Sequence, residues 1–146
     1  MRDKLGLFGE DSNDQNLIMD LLTWMHNNKA DYTNTFCFLM NEKFSMNEKY
    51  NNKDFLIWKK KWEIRLKLNN NTKEKYLRLM HSVNPLIIPR NYKVEEALTA
   101  ANNGDITMVK DIINVLEKPY KNQKNLSAFQ SPNPNKNVKY QTFCGT

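Results

Sequence analysis

The sequence is poor in glycine, cysteine, histidine and arginine. Four glycines in the whole chain exclude most versions of a glycine-rich phosphate loop, which needs several close together so that backbone amides can wrap a phosphate. Gly6 and Gly9 are too few to make one. The two cysteines, Cys37 and Cys144, lie far apart and make neither a disulfide framework nor a zinc site; a reducing, cytoplasmic setting is expected. His26 and His81 stand alone, without ligand spacing to each other or to a cysteine, and read as surface or partly buried side chains. No carboxylate pair stands out as an acid/base couple. No apolar run approaches the roughly 20 residues of a membrane-spanning helix, and no apolar signal region follows Met1-Arg2-Asp3-Lys4. No membrane partner is expected.

Asparagine and lysine are abundant instead. The 22 Asn and 18 Lys against only four Arg read as the codon bias of an AT-rich genome before any function, and they account for much of the low mean hydropathy of −0.76. A length of 146 residues suits about one domain. Three Trp, six Tyr and seven Phe are enough large side chains for a core. The net charge of +6 is uneven: residues 1–40 carry three basic and six acidic groups, residues 41–82 eleven and five. In that middle block Lys59-Lys60-Lys61 lies beside Trp58 and Trp62. Lysines for phosphate and tryptophans for stacking would serve a nucleic acid. A solvated helix face beside core aromatics is the favoured reading, because arginine is scarce and no nucleic-acid fold signature is present.

Helical periodicity runs through most of the chain. Ser12 and Gln15 form a capping-box pattern ahead of Leu17, Ile18, Leu21, Leu22 and Met25. Asp31 is placed to cap a second helix in which Tyr32, Phe36, Leu39 and Met40 face inward, with Cys37 a buried small hydrophobe. Asp31, Thr33 and Thr35 group polar atoms, but capping and packing suffice for them. A third helix over 52–68 has two apolar faces, Phe55, Trp58, Trp62 and Leu66 on one and Ile57, Ile64 and Leu68 nearly opposite. A surface helix needs one apolar stripe; a helix with two is usually enclosed in a larger body. A fourth, after the Asn69 to Thr72 run, brings Tyr76, Leu79, Met80 and Val83 together.

The stretch from Asn84 to Leu116 organises the rest. Pro85 and Pro89 bracket Leu86-Ile87-Ile88, and each proline lacks an amide donor and biases its predecessor toward extended backbone. A short buried non-helical piece is therefore expected. A helix with Val94, Ala97, Leu98 and Ala101 on one face follows, stopped by Gly104. Asp105 can cap the next helix, which carries Ile106, Val109, Ile112, Ile113 and Leu116 and ends at Pro119. The hairpin resembles one ankyrin-type repeat, but there is no second period for it to stack on. Beyond Tyr120 the pattern fades, and Ser131-Pro132-Asn133-Pro134-Asn135 reads as a turn or connector.

These segments carry a further resemblance. Lys4-Leu5-Gly6-Leu7, then Ala30-Asp31-Tyr32-Thr33-Asn34-Thr35-Phe36, then Asn84-Pro85, Arg90-Asn91, Glu95-Glu96-Ala97, Ala100-Ala101, Gly104-Asp105 and Pro119-Tyr120, in that order and spacing, resemble the C-terminal part of the selenoprotein O family. Cys144, third from the end, stands where family members place a cysteine or selenocysteine. The family pattern has an arginine after the phenylalanine of the second segment, where this chain has Cys37; any role of that arginine is in doubt. The family consists of protein-kinase-like protein adenylyltransferases. The resemblance implies an all-α fold, the helical C-terminal portion of a protein-kinase-like fold, with about six helices over 1–120 and an irregular tail over 121–146. It implies transfer of AMP from ATP to protein Ser, Thr or Tyr hydroxyls, with ATP and Mg or Mn required by the full-length protein and none held by this chain. The catalytic signature of the kinase-like body (a strand lysine, a catalytic-loop aspartate, a metal-binding aspartate before Phe-Gly) is absent from these residues. No catalytic, cofactor or metal residue is therefore assigned. The partners implied are that body, in the same chain or separately encoded, and substrate proteins. Cys144 is the candidate redox residue, implied to pair with a cysteine of the body. A second class of function stays open: a free-standing all-α interaction module without enzymatic activity.

Overall fold

The computed structural model describes residues 1–41, 48–68, 71–123 and 126–133. These are all-helical and contain no strand. Seven α-helices run in chain order: α1 Asp14–Asn27, α2 Tyr32–Met40, α3 Lys53–Lys67, α4 Lys73–Val83, α5 Asn91–Asn102, α6 Thr107–Leu116 and α7 Leu126–Gln130. Short 3-10 turns occupy Asp3–Leu5 and Glu48–Asn51. The chain divides into two compact units, Met1–Leu86 and Ile87–Thr146.

In unit 1, side-chain caps start three of the four helices. The Asp31 carboxylate accepts the Asn34 amide at 2.8 Å. Asn52 Oδ1 accepts the amides of Asp54 and Phe55, and Thr72 Oγ1 accepts that of Lys75. Each satisfies a donor that the first helical turn leaves without a partner. The expected Ser12 capping box does not form. Asn13 occupies the cap position of α1 without a side-chain bond, its own amide is taken by the Asp11 carboxylate at 2.8 Å, and Asp14 in the first turn is drawn into a buried ion pair described below. The tertiary pair outweighs the local cap.

The core of unit 1 is aromatic. Leu17, Leu21, Trp24 and Met25 of α1 meet Phe55, Trp58, Trp62 and Leu66 of α3, with Phe36, Leu39 and Met40 of α2, Tyr50 and Met80 closing the remaining sides. Trp24 stacks at a tilt on Phe55 with centroids 4.5 Å apart. Every indole N–H finds an acceptor: Trp24 donates to Asn52 Oδ1, Trp58 to the Leu17 carbonyl and Trp62 to the Leu5 carbonyl, the last two at 2.8 Å. Large rings are thus buried without orphaned donors. Gly6, at φ +69, closes the first 3-10 turn, and a Cβ there would stand 3.1 Å from Met80 Cγ and Tyr76 Cβ. Only glycine allows both the left-handed backbone and that approach.

One orientation departs from the sequence reading. Tyr32, expected to face inward, is 44% exposed; its ring meets Phe36 edge-on and its hydroxyl donates to Met1 Sδ. The second apolar face of α3 is open within this chain, as a helix read as enclosed by a larger body leaves it: Ile57, Ile64 and Leu68 are 47%, 62% and 63% exposed.

Unit 2 is built on the α5–α6 hairpin. Gly104 makes the turn at φ +88, and Asp105 Oδ1 accepts the Thr107 amide at 2.9 Å. As expected, the proline-bracketed piece before α5 is non-helical and its Ile87 is buried. Tyr92 and Ala97 are the buried residues of α5, Leu98 faces outward, and α6 buries none of its residues. The short α7 lies in the stretch read as irregular. It is tied back by Arg90, which donates to the Gln130 carbonyl, and by Tyr92, whose hydroxyl donates to the Ser131 carbonyl, each at 3.0 Å.

Candidate functional site

Three of the segments that carry the family resemblance converge in unit 1. Lys4 Nζ donates to the Val83 carbonyl at 3.0 Å and to Asn84 Oδ1 at 3.2 Å. Asn84 Nδ2 returns a bond to the Lys4 carbonyl at 2.9 Å. The ammonium lies over the rings of Phe36 and Tyr32, 5.4 and 5.8 Å from their centroids, where the ring quadrupoles attract it. Cys37 Sγ faces the Pro85 carbonyl at 3.7 Å. The segments around Lys4, Asp31 and Asn84 therefore form one knot that ties the N-terminal turn to α2 and to the end of α4. Burial lowers the Lys4 amine below its ordinary value, offset in part by the adjacent Cys37. The amine is directed at two acceptors and Asn84 is buried. The chemistry of this arrangement is positional: it fixes the chain where α4 ends and the proline-bracketed piece begins.

A second cluster lies between α1 and α3. Arg65 forks onto Asp14, Nε to Oδ1 at 2.6 Å and Nη2 to Oδ2 at 3.1 Å, and Nη2 also donates to the Phe8 carbonyl. Arg2 Nε adds an ion pair to Asp14 Oδ2 at 3.3 Å. Both members of the fork are buried, and Arg65 Nη1 has no acceptor. Beside them opens a groove of about 420 Å³ whose walls include Leu17, Asp20, Lys61 and Ile64. Lys61 pairs with Asp20 across its rim at 3.4 Å. Sequence reasoning missed this cluster. The available signal was Arg65 itself, one of four arginines in a lysine-rich chain, since a bidentate fork onto a buried carboxylate needs a guanidinium.

The residues singled out from the sequence fall in separate places. Cys144 lies outside the described residues. Cys37 is buried, 1% exposed, in the second helix as expected. His26 and His81 are exposed on α1 and α4. Trp58 and Trp62 are core residues with their N–H groups bonded inside, so they offer no stacking face beside the lysine run. Lys59 pairs with Glu63 one turn on. Asp31, Thr33 and Thr35 do capping and packing work: Thr35 Oγ1 donates to the Asp31 carbonyl at 2.7 Å and shares a hydrogen bond with the Tyr50 hydroxyl.

Among the described residues no three His, Cys, Asp or Glu side chains gather to hold a metal ion. Gly6 is packed against Met80 and Tyr76, and Gly104 serves the hairpin turn, so neither belongs to a phosphate cradle. Among the described residues no helix is long and apolar enough to cross a membrane.

Comparison with known proteins supplies what the geometry leaves open. Residues 1–117 match the family described as Protein adenylyltransferase SelO. The chain is 55% identical over 146 residues to a protein of Pelagibacter ubique named Protein nucleotidyltransferase YdiU. It is 43% identical over 147 residues to the protein of that name from Nitrosococcus oceani and 42% identical over 146 residues to that from Clostridium beijerinckii. Each comparison covers 100% of this chain and 30% of the relative. The chain thus spans less than a third of the length of these curated relatives.

Proposed function

Because the chain belongs to the SelO family of protein adenylyltransferases, we propose that it works as the C-terminal helical portion of a protein that transfers AMP from ATP to the hydroxyls of protein Ser, Thr or Tyr side chains. The observation that carries this reading is 55% identity, unbroken along the chain, to a protein named as a nucleotidyltransferase and more than three times as long. In the reaction the hydroxyl oxygen attacks the α-phosphorus, the bond from that phosphorus to the bridging oxygen of pyrophosphate breaks, and the hydroxyl proton passes to a base. The groups that bind ATP, hold the metal and take the proton belong to a kinase-like body outside these residues. Unit 1 contributes a rigid scaffold, its signature segments locked together by Lys4 and Asn84. Cys144 serves redox control by pairing with a cysteine of the body, and the protein works in the cytoplasm. The runner-up, a free-standing interaction module, draws on the closed aromatic core that unit 1 possesses by itself.

The test is a chimera in which this chain replaces the matching 30% of the Pelagibacter relative. Incubated with ATP, magnesium and a protein acceptor, the chimera is expected to add the mass of one AMP to a hydroxyl-bearing peptide, as the parent relative does. The chain alone is expected to show no heat of ATP binding in calorimetric titration. A chimera that folds but transfers nothing, beside an active parent, would overturn the reading; one-to-one micromolar binding of ATP by the chain alone would overturn the division of labour.

A further inference from the structure

The outward face of α3 has a regular pattern whose aliphatic members stay exposed. Ile57, Lys61, Ile64 and Leu68 recur at spacings of four, three and four, the seam spacing by which one helix receives the knobs of another. The three aliphatic members are all more than 45% exposed. Beside Ile64 the seam opens into the α1–α3 groove of about 420 Å³, with Leu17 in its wall and the Lys61–Asp20 pair at its rim. An apolar strip bordered by charges of both signs is the anatomy of an interface core and its rim. The buried fork of Arg65 on Asp14 beneath it holds α1 against α3, so the groove keeps its shape before anything enters.

We propose that this groove seats an amphipathic helix from the part of the parent protein that lies outside these residues, its Leu, Ile, Val or Phe stripe packed on Ile57, Ile64 and Leu68. The occupant is argued from length. Relatives that align with the whole of this chain devote only 30% of their length to it, so the larger part of the folded body must meet this portion somewhere. Helices with two apolar faces are those enclosed on both sides. The core of unit 1 covers one face of α3; the seam is the other. The inference rests on the reading of the chain as part of a larger adenylyltransferase, and it adds which surface faces the body.

The experiment uses the chimera and the isolated chain, each carrying Ile64→Cys, with alkylation at position 64 followed over time by peptide mass mapping. Ile57→Cys is a second reporter should the first variant fold poorly. The thiol is expected to react at least about tenfold more slowly in the chimera, because interface cores exclude solvent as interiors do. His26→Cys on exposed α1 is expected to react at the same rate in both. Equal rates at position 64 would overturn the proposal, as would equal protection at position 26, which would mean general occlusion. Protection in the isolated chain together with a dimer in sedimentation would assign the groove to a second copy and overturn it too. AMP transfer by the unsubstituted chimera is scored separately. An active chimera with an unprotected position 64 sinks the docking surface alone; a protected position 64 in an inactive chimera sinks the function alone.

Discussion

In unit 1, α3 buries Phe55, Trp58, Trp62 and Leu66 on one face and each indole N–H in the unit finds an acceptor. In unit 2, α6 and its cap residue Ile106 carry as regular an apolar face with Val109, Ile112, Ile113 and Leu116, yet no residue of α6 is fully buried, and Val109, Ile112 and Leu116 are half-buried. Both patterns make helices, because periodicity and capping are local properties. Burial is not local. Unit 1 has large rings that reach across from one helix to the next and polar groups placed to receive their donors. In unit 2 the short helices leave the aliphatic surface only half-covered among the described residues: Val94, Val109, Ile112 and Leu116 are half-buried, while Leu98, Ile106 and Ile113 are exposed. Amphipathicity tells that a face wants covering, not how completely its neighbours cover it.

Several measurements would sharpen or break that contrast. All three tryptophans lie in unit 1, so fluorescence during urea unfolding reports that unit alone. The largest effect is expected for Arg65→Ala, which removes the fork, leaves the buried Asp14 carboxylate with only its longer ion pair to Arg2, and should cost up to about 3–5 kcal/mol, the usual loss when one partner of a buried pair is removed. A loss below about 1 kcal/mol, the range of exposed pairs, would show that the fork is not a structural element of unit 1.

Asn84→Ala comes next. It removes one of the two acceptors of Lys4 Nζ and the donor to the Lys4 carbonyl, and about 1–3 kcal/mol is expected for the buried groups left unmet. The same fluorescence transition reads it. No change in midpoint would mean that water replaces the asparagine and that the knot is incidental.

In unit 2 the effects shrink. Gly104→Ala meets no atom within 4 Å, so its cost is that of the left-handed backbone alone, about 1–2 kcal/mol. Faster amide exchange across the end of α5, with the tryptophan transition unmoved, is the expected signature. Ile113→Ser on the open face of α6 should change stability by no more than about 0.5 kcal/mol, as surface substitutions do. A larger loss in exchange protection would show that this face is covered after all.

The smallest effect is a pH dependence. Hydrogen bonds from the Thr107 side chain and amide hold Asp105 below the ordinary carboxylate value. A depressed folded value means that its contribution is present above the ordinary value and is lost as pH falls through the depressed one. Exchange protection of the first turn of α6 should therefore weaken in acid, and Asp105→Asn should flatten that dependence. An unchanged profile in the variant would assign the acid sensitivity to another group.

Much of unit 1 was legible residue by residue. The Asp31 cap, the start of α3 at Asn52 and the grouping of Phe55, Trp58, Trp62 and Leu66 on one face follow from spacing, and the non-helical piece between Pro85 and Pro89 from proline geometry. The failures share a cause. Ser12 reads as a cap because the pattern is local, yet Asp14 answers to Arg65, 51 residues away. Tyr32 reads as inward by period, yet a phenol can lie along the surface with its ring on Phe36. The five residues of α7 are too few to show a period at all. Of the candidate site, the sequence marked its segments through family resemblance but not that Lys4 and Asn84 bond to each other, nor that Arg65 and Asp14 form the base of a groove.

By itself, then, the sequence determined the all-α class, the helix that carries two apolar faces, and the family, because helical period and ordered short motifs are written in neighbouring residues. Tertiary structure alone decided which of the two faces of α3 is spent on the core and which is left open, because that choice depends on where α1 and Trp24 stand, a separation in space that no local pattern encodes. It also decided that the Lys4 and Asn84 segments are one knot rather than two motifs, since a hydrogen bond between residues 80 apart exists only once the chain has folded.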